Sequence, residues 1–146
     1  MDLMKAMDIA ASGMSAERAR LNVISMNLAN ANTTRTASGG PYRRKTVIFE
    51  TAPVAKSFDE ELKISINDSE VYGVKVSGIM PVQGPFKKVY DPSHPDADKD
   101  GYVSLPNVNL VQEMVAMLNA NRSYEANAQA IKTAKEMALK ALELAR

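Results

Sequence analysis

Apolar side chains recur along the N-terminal segment at alternating steps of four and three residues. The positions are Leu3, Met7, Ala10, Met14, Leu21, Ile24, Leu28 and Ala31. Glu17 is the charged interruption in this series, and the 3.5-residue period is typical of a coiled-coil seam. The pattern predicts a long helix that stops at the Asn- and Thr-rich run over residues 30–34. A second apolar stripe, which includes Ile9 and Val23, makes the apolar arc wider than one partner helix can cover.

The C-terminal segment has a similar stripe, again in steps of four and three. It comprises Leu110, Met114, Met117, Asn121, Tyr124, Ala128 and Ile131. Lys135 then interrupts the series, and the apolar positions shift toward Ala134 and Met137. Asn107 or Asn109 is suited to cap the start of the segment. We therefore predict a second long helix over residues 109–145.

Glycine and proline are concentrated between these two segments. All seven prolines lie within residues 41–106, and six of the seven glycines lie within residues 39–101. Because proline breaks helices and glycine weakens them, we predict strands and turns here. The strand candidates are residues 45–50, 62–66, 72–79 and 86–90. The predicted organisation is a helical segment 1–38, a small β-rich insertion 39–106 and a helical segment 107–146, in the α+β, mainly α, class.

The composition excludes several kinds of site. Cysteine is absent, and one histidine cannot anchor a multi-histidine metal site. Eighteen basic against seventeen acidic residues give no general reason to expect nucleic acid or anionic membrane as a partner. Charges at Asp2, Lys5 and Asp8 interrupt the apolar core that a cleaved secretory signal needs, and no run approaches the ~18 apolar residues of a membrane span. We predict no enzyme, no cofactor and no direct membrane insertion.

Three short motifs contain residues that could form a functional site. Residues 96–103 follow the first half of an EF-hand loop, but Asn107 stands where the bidentate glutamate belongs, which favours an acidic turn over a calcium site. His94 lies in a proline-rich loop without a spaced partner ligand, which favours a surface position. The basic run 43–45 could contact phosphate or an acidic partner, and a solvated strand edge is the default interpretation.

Asparagine is unusually common in the predicted helices, although it is a poor helix former. Asn27 and Asn30 lie in the first helix or at its end, and Asn121 falls on the stripe of the second. These amides either face solvent and cap ends or form inter-helix hydrogen bonds that fix register, and the second interpretation is favoured at Asn121. The wide apolar arcs favour assembly with other chains over a monomeric bundle.

The run from Ser25 to Thr33 resembles the signature of the flagellar rod and hook axial proteins, and residues 9–14 fit the lead-in of that family. Residues 91–103 and 113–127 narrow the resemblance to the proximal rod proteins within the family. The resemblance covers essentially the whole chain. It implies a fold in which the terminal helices form an antiparallel coiled coil at the inner wall of a tube, with the β-rich insertion outside.

The resemblance also implies a function. Such a protein is exported by the flagellar type III apparatus without a cleaved signal peptide. It polymerises in the periplasm with its own copies and other rod proteins into a helical tube, joined to the inner-membrane ring, that transmits torque and forms part of the export channel. The expected assembly interface comprises Leu3, Met7, Met14, Leu21, Ile24, Asn27, Leu28, Asn30, Leu110, Met114, Met117, Leu118, Asn121, Tyr124, Asn127 and Ile131.

Two alternatives stay open at this point. A cytoplasmic helical-hairpin adaptor would use the β element to bind a protein and would form a defined small oligomer. A calcium-dependent binding module would gain stability from calcium and lose that gain in Asp98→Ala. An enzyme is the least supported interpretation, since no nucleophile–base pair or phosphate loop is apparent.

Overall fold

The computed structural model describes residues 3–53 and 72–144. Two helices, α1 (Leu3–Ala29) and α2 (Leu110–Leu144), stand at the two ends of the described chain. The strands between them are β1 (Lys45–Pro53), β2 (Tyr72–Pro81), β3 (Lys87–Tyr90) and β4 (Tyr102–Leu105). This arrangement confirms the mainly helical α+β class with a small β insertion. The strand candidate over residues 62–66 lies outside the described residues.

The strands form two small sheets. β1 pairs with β2, and β3 pairs with β4 in antiparallel register, with Tyr90 opposite Tyr102. The two tyrosine rings meet edge to face with centroids 5.3 Å apart. Gly101 has φ +80°, and a Cβ there would lie 2.9 Å from Cε2 of Tyr90. Both the backbone conformation and the space therefore require glycine at this turn.

Local capping determines where the helices end. Asn30 donates through Nδ2 to the carbonyl of Met26 (2.8 Å) and accepts from the Thr33 hydroxyl (3.2 Å), which closes α1. At the start of α2, Asn109 Oδ1 accepts from the backbone N–H groups of Val111 (3.0 Å) and Gln112 (3.3 Å). These contacts satisfy backbone groups that a helix end leaves free. They confirm the predicted stop of the first helix and Asn109 as the cap of the second.

The chain forms two compact units, and each helix contributes to both. The described part of the first unit comprises residues 3–19, 49–53, 72–77 and 120–144. The second unit comprises Arg20–Ile48 and Gly78–Asn119. This division follows contacts in space, whereas the boundaries at residues 38 and 106 follow composition and stay a prediction.

Small side chains bring the helices together in the first unit. A Cβ on Gly13 would lie 2.8 Å from Nδ2 of Asn127, and the Arg18 guanidinium donates to the Tyr124 hydroxyl at 3.3 Å. Position 13 faces 127 and position 18 faces 124, so the helices run antiparallel in this unit. The alanines at positions 10, 16, 120 and 134 of the same unit are buried.

The inward face of α2 differs from the predicted seam. Ala116 and Ala128 are half-buried, and its other buried or half-buried positions are Glu113, Met117, Ala120, Tyr124, Asn127, Ile131, Ala134 and Ala138. These other positions again alternate in steps of four and three, but Leu110, Met114 and Asn121 of the predicted seam are exposed. Coiled-coil packing along the predicted seam is therefore not confirmed. No helix in the described ranges is long and apolar enough to cross a membrane.

Candidate functional site

The most enclosed side chain of α1 is the polar residue Asn27, which is 1% exposed. Its Oδ1 accepts from the backbone N–H of Lys45 (2.9 Å) and from the Tyr42 hydroxyl (3.0 Å). Its Nδ2 donates to the carbonyl of Lys45 (2.8 Å) and to Oε2 of Glu113 (3.0 Å). The backbone N–H and C=O of Lys45, at the start of β1, thus pair with one side-chain amide and not with a neighbouring strand. All four hydrogen-bonding positions of the amide are used.

Glu113 brings a charge into the same place. Its side chain is 0% exposed and lies in the first turn of α2. Oε1 accepts from Nε of Arg44 at 2.6 Å, while Oε2 accepts from Asn27. A buried carboxylate is tolerated only when it is paired and hydrogen-bonded, and the N-terminal end of a helix also favours negative charge. The Arg44–Glu113 pair therefore leaves no uncompensated charge at this point.

Asn107 joins the surrounding backbone to this ion pair. Its Oδ1 accepts from the N–H of Arg44 (2.9 Å), and its Nδ2 donates to the carbonyl of Val82 (3.3 Å). The N–H of Val82 donates in turn to the carbonyl of Arg44 (2.8 Å). We call Asn27, Tyr42, Arg44, Asn107 and Glu113 the polar cluster. It connects α1, the start of β1, the residue after β2 and the first turn of α2 within the second unit.

Burial raises the pKa of the Tyr42 phenol above its ordinary value of about 10, and the negative charge of Glu113 raises this pKa further. A tyrosine whose folded pKa is raised stabilises the fold below its unfolded pKa. That contribution is lost as the pH rises above about 10, because the unfolded chain then releases the proton more readily. The polar cluster therefore weakens in alkali.

Tyr42→Phe is expected to remove this alkaline component. The free energy of unfolding of the unmodified chain should fall between about pH 9 and 11, and the variant should show a shallower fall. At pH 8 the variant loses about 1 kcal/mol, since one hydrogen bond to Asn27 is gone. Urea denaturation at a series of pH values measures both effects. Tyr90→Phe, at an exposed ring, is the control, and equal slopes for Tyr42→Phe and the unmodified chain would refute the assignment.

A second feature of the second unit is an apolar surface on α2. Five side chains there are 51–69% exposed: Leu110, Val111, Met114, Val115 and Leu118. We call this set the apolar stripe. Glu113 is the one charged residue among positions 110–121, and it is buried, so the stripe carries no exposed charge. A continuous exposed apolar surface of this kind marks a site of protein interaction.

The predicted interface residues occupy three kinds of environment. Ile24 and Asn27 are buried. The half-buried residues are Leu3, Met7, Met14, Leu21, Leu28, Asn30, Met117, Tyr124, Asn127 and Ile131. The exposed residues are Leu110, Met114, Leu118 and Asn121. Their role between subunits stays a prediction, and the exposed residues of α2 are the ones the fold leaves available.

The asparagines divide between the two interpretations. Asn27 bonds to Glu113 and so joins the two helices, whereas Asn30 caps α1. Asn121 is exposed in the single chain, and the inter-helix bond expected there stays a prediction. Sequence reasoning missed Tyr42 and Glu113, and the only local signal was a single glutamate inside an otherwise uncharged stretch.

The solvated strand edge expected for the basic run is wrong at two of its three residues. Arg43 is half-buried, with its guanidinium 4.4 Å from the centroid of the Phe86 ring. Arg44 pairs with Glu113. Both positive charges are therefore engaged within the chain.

The acidic turn is held by its own hydrogen bonds. Asp98 Oδ1 accepts from the backbone N–H groups of Asp100 (3.0 Å) and Tyr102 (2.9 Å). Asp96 Oδ2 accepts from the Thr34 hydroxyl (2.8 Å). A hydrogen bond from the Ser93 hydroxyl lowers the pKa of Asp91. Within residues 3–53 and 72–144, no group of three or more potential ligands is placed to hold a metal ion.

Comparison with known proteins assigns both ends of the chain. Residues 7–35 match the family described as "Flagella basal body rod protein", and residues 99–144 match "Flagellar basal body rod FlgEFG protein C-terminal". The chain is 43% identical to the flagellar basal-body rod protein FlgC of Borreliella burgdorferi, covering 99% of this chain and 98% of the relative. It is 41% identical to FlgC of Salmonella typhimurium (99% and 98% covered) and 45% identical to FlgC of Aquifex aeolicus (94% and 92%).

Proposed function

The chain belongs to the FlgC family of flagellar basal-body rod proteins and is a structural subunit of the rod, and from this premise we propose how it assembles. Its copies join one another and other rod proteins in a helical tube across the periplasm. The tube transmits torque and encloses part of the channel through which later subunits pass. The role is mechanical, in keeping with relatives that are named as flagellar basal-body rod proteins.

The apolar stripe is the observation that carries this proposal. Its side chains remain at least half exposed in the single chain, although burial of each is worth about 1.5–3 kcal/mol. The stripe follows a helical spacing of three and four residues, so a helix of a neighbouring rod subunit is the shape that fits it. We propose that the stripe meets a different surface on the neighbour, since only a heterologous contact of this kind propagates into a helical polymer.

We propose that in the assembled rod the two helices of the chain pack as an antiparallel coiled coil, along those seam positions of α2 that are already half-buried. There the exposed positions of the predicted seam, Leu110, Met114 and Asn121, would face helices of adjacent subunits. Long helices joined by many distributed contacts resist twisting. The inner-membrane ring and the type III export apparatus are the further partners that this role requires.

Deletion of the gene, followed by electron microscopy of purified basal bodies, tests the proposal. We expect membrane rings without rods or filaments, and we expect plasmid complementation to restore both. Mass spectrometry of the restored rods should detect the chain. Normal flagella in the deletion strain would contradict the assignment, and restored rods that lack the chain would make it an assembly factor instead of a subunit.

A further inference from the structure

We infer that Asn27 is a positioning residue, whose side-chain amide holds the start of β1 against α1 and the first turn of α2. The amide replaces a strand partner for Lys45, since it bonds to both the N–H and the C=O of that residue. The same amide reaches Glu113 and Tyr42. One side chain therefore ties the start of β1 to both α1 and α2.

The arrangement demands a carboxamide in particular. Two donors, the Lys45 N–H and the Tyr42 hydroxyl, face Oδ1, and two acceptors, the Lys45 carbonyl and Glu113 Oε2, face Nδ2. An ionised carboxylate of the same shape would set oxygen against both acceptors, one of them charged. Alanine would leave all four groups unpaired in a site that is 1% exposed. Each such loss is costly because buried polar groups cannot recover water.

The contacts also make the second unit cooperative. Asn27 lies 18 residues from Lys45 and 86 residues from Glu113 along the chain. None of these bonds can form within one helix or one strand, so the amide is satisfied only when α1, β1 and α2 are all in place. Loss of the amide is therefore expected to loosen the start of β1 without unwinding either helix.

Substitution of the amide by a carboxyl group gives this inference a pH-dependent test. In Asn27→Asp at pH 7 the unfolding equilibrium constant is expected to rise roughly 100-fold, through loss of two hydrogen bonds and repulsion from Glu113. A protonated carboxyl group carries one O–H donor and can face Glu113 or the Lys45 carbonyl as Nδ2 does. The ratio of variant to unmodified unfolding constants should therefore fall toward one as the pH is lowered from 7 to 4.

The surrounding charges determine the direction in which the pKa of the introduced carboxyl group shifts. Glu113 and burial both disfavour the charged form of the introduced carboxyl, so its folded pKa lies above the ordinary value of about 3.9. Arg44 opposes this shift, but its Nε is already bonded to Glu113. Tyr42 is the remaining titratable group at the site, and it is neutral in this pH range. A raised folded pKa means that stability is regained as the pH falls.

Two control variants separate the pH-dependent loss of stability in Asn27→Asp from a general effect of substitution. Asn22→Asp introduces the same group at an exposed position of α1 and should leave the unfolding constant within about threefold of the unmodified chain at every pH. Asn27→Ala introduces no titratable group, so its cost should change less with pH than that of Asn27→Asp. Hydrogen exchange of the Lys45 N–H should be accelerated in both Asn27 variants by a larger factor than exchange in the middle of α2.

The inference is overturned if Asn27→Asp costs no more than Asn22→Asp at pH 7, or if its cost does not change with pH. It is equally overturned if Lys45 exchange is unaffected in Asn27→Ala. Should Asn27→Asp not fold at pH 7, refolding at pH 4 gives the comparison, and the alanine variant gives an independent one. These measurements use the purified chain, so they succeed or fail separately from the proposed assembly of the rod.

Discussion

Glu113→Ala is expected to lower the free energy of unfolding by about 3 kcal/mol, a large part of the 5–15 kcal/mol that holds most domains together. The substitution leaves Nδ2 of Asn27 without its carboxylate acceptor in a fully buried site, and it leaves Arg44 without its counter-charge. Losing one partner of a buried pair typically costs about 3–5 kcal/mol. The lower end applies because the Arg44 side chain is 33% exposed and can turn to water.

Urea denaturation followed by circular dichroism at pH 7 measures this loss. Glu125→Ala, at an exposed glutamate of the same helix, is the matched control and should change the free energy of unfolding by no more than about 0.5 kcal/mol. Arg44→Met combined with Glu113→Leu removes both charges together and should cost less than Glu113→Ala alone. Equal losses for Glu113→Ala and Glu125→Ala would show that the ion pair contributes nothing.

The end of α1 and the start of α2 could be predicted from the sequence because capping is a local property. Asn30 bonds to a carbonyl four residues earlier, and Asn109 bonds to N–H groups two and three residues later. Three of the strand candidates were likewise confirmed, since they lie between turns that glycine and proline specify. Caps and turns depend on residues a few positions apart, so a short stretch of sequence is enough to predict them.

The inward face of α2 could not be predicted in the same way. Hydrophobic periodicity favours the stripe with the largest apolar side chains, which here includes Leu110 and Met114. In the folded chain α2 turns Glu113 and Ala120 inward instead. Alanine and glycine permit close approach of two helices. A hydropathy profile does not reveal that a glutamate is buried and paired. The predicted seam therefore has the right period and coincides with the inward face at Met117, Tyr124, Ala128 and Ile131, whereas Leu110, Met114 and Asn121 are exposed.

The polar cluster depends on contacts that no local pattern contains. Tyr42 and Arg44 lie in a segment whose basic run favoured a solvated edge, yet Arg44 bonds to a glutamate 69 residues away. A positive and a negative residue at that separation have many possible partners in a chain with 18 basic and 17 acidic residues. Only the fold selects this pair, because it brings the start of β1 to the first turn of α2.

Met114→Lys combined with Leu118→Lys is expected to abolish rod assembly while the single chain stays folded. Both side chains are more than half exposed, so the free energy of unfolding should change by no more than about 0.5 kcal/mol. In an interface each lost apolar contact removes about 1.5–3 kcal/mol, and two ammonium groups would also have to leave water. A loss of about 4 kcal/mol already weakens association about a thousandfold.

Gln112→Lys combined with Asn119→Lys provides the matched control. It adds the same two charges to the same helix, at exposed positions that belong neither to the apolar stripe nor to the inward face. In a strain that lacks the gene, the control variant should restore rods and swimming, and the stripe variant should restore neither. Urea denaturation of both purified chains checks that they are folded. If the stripe variant supports normal rods, the stripe does not face a neighbouring subunit, and the contacts that build the polymer lie elsewhere on the chain.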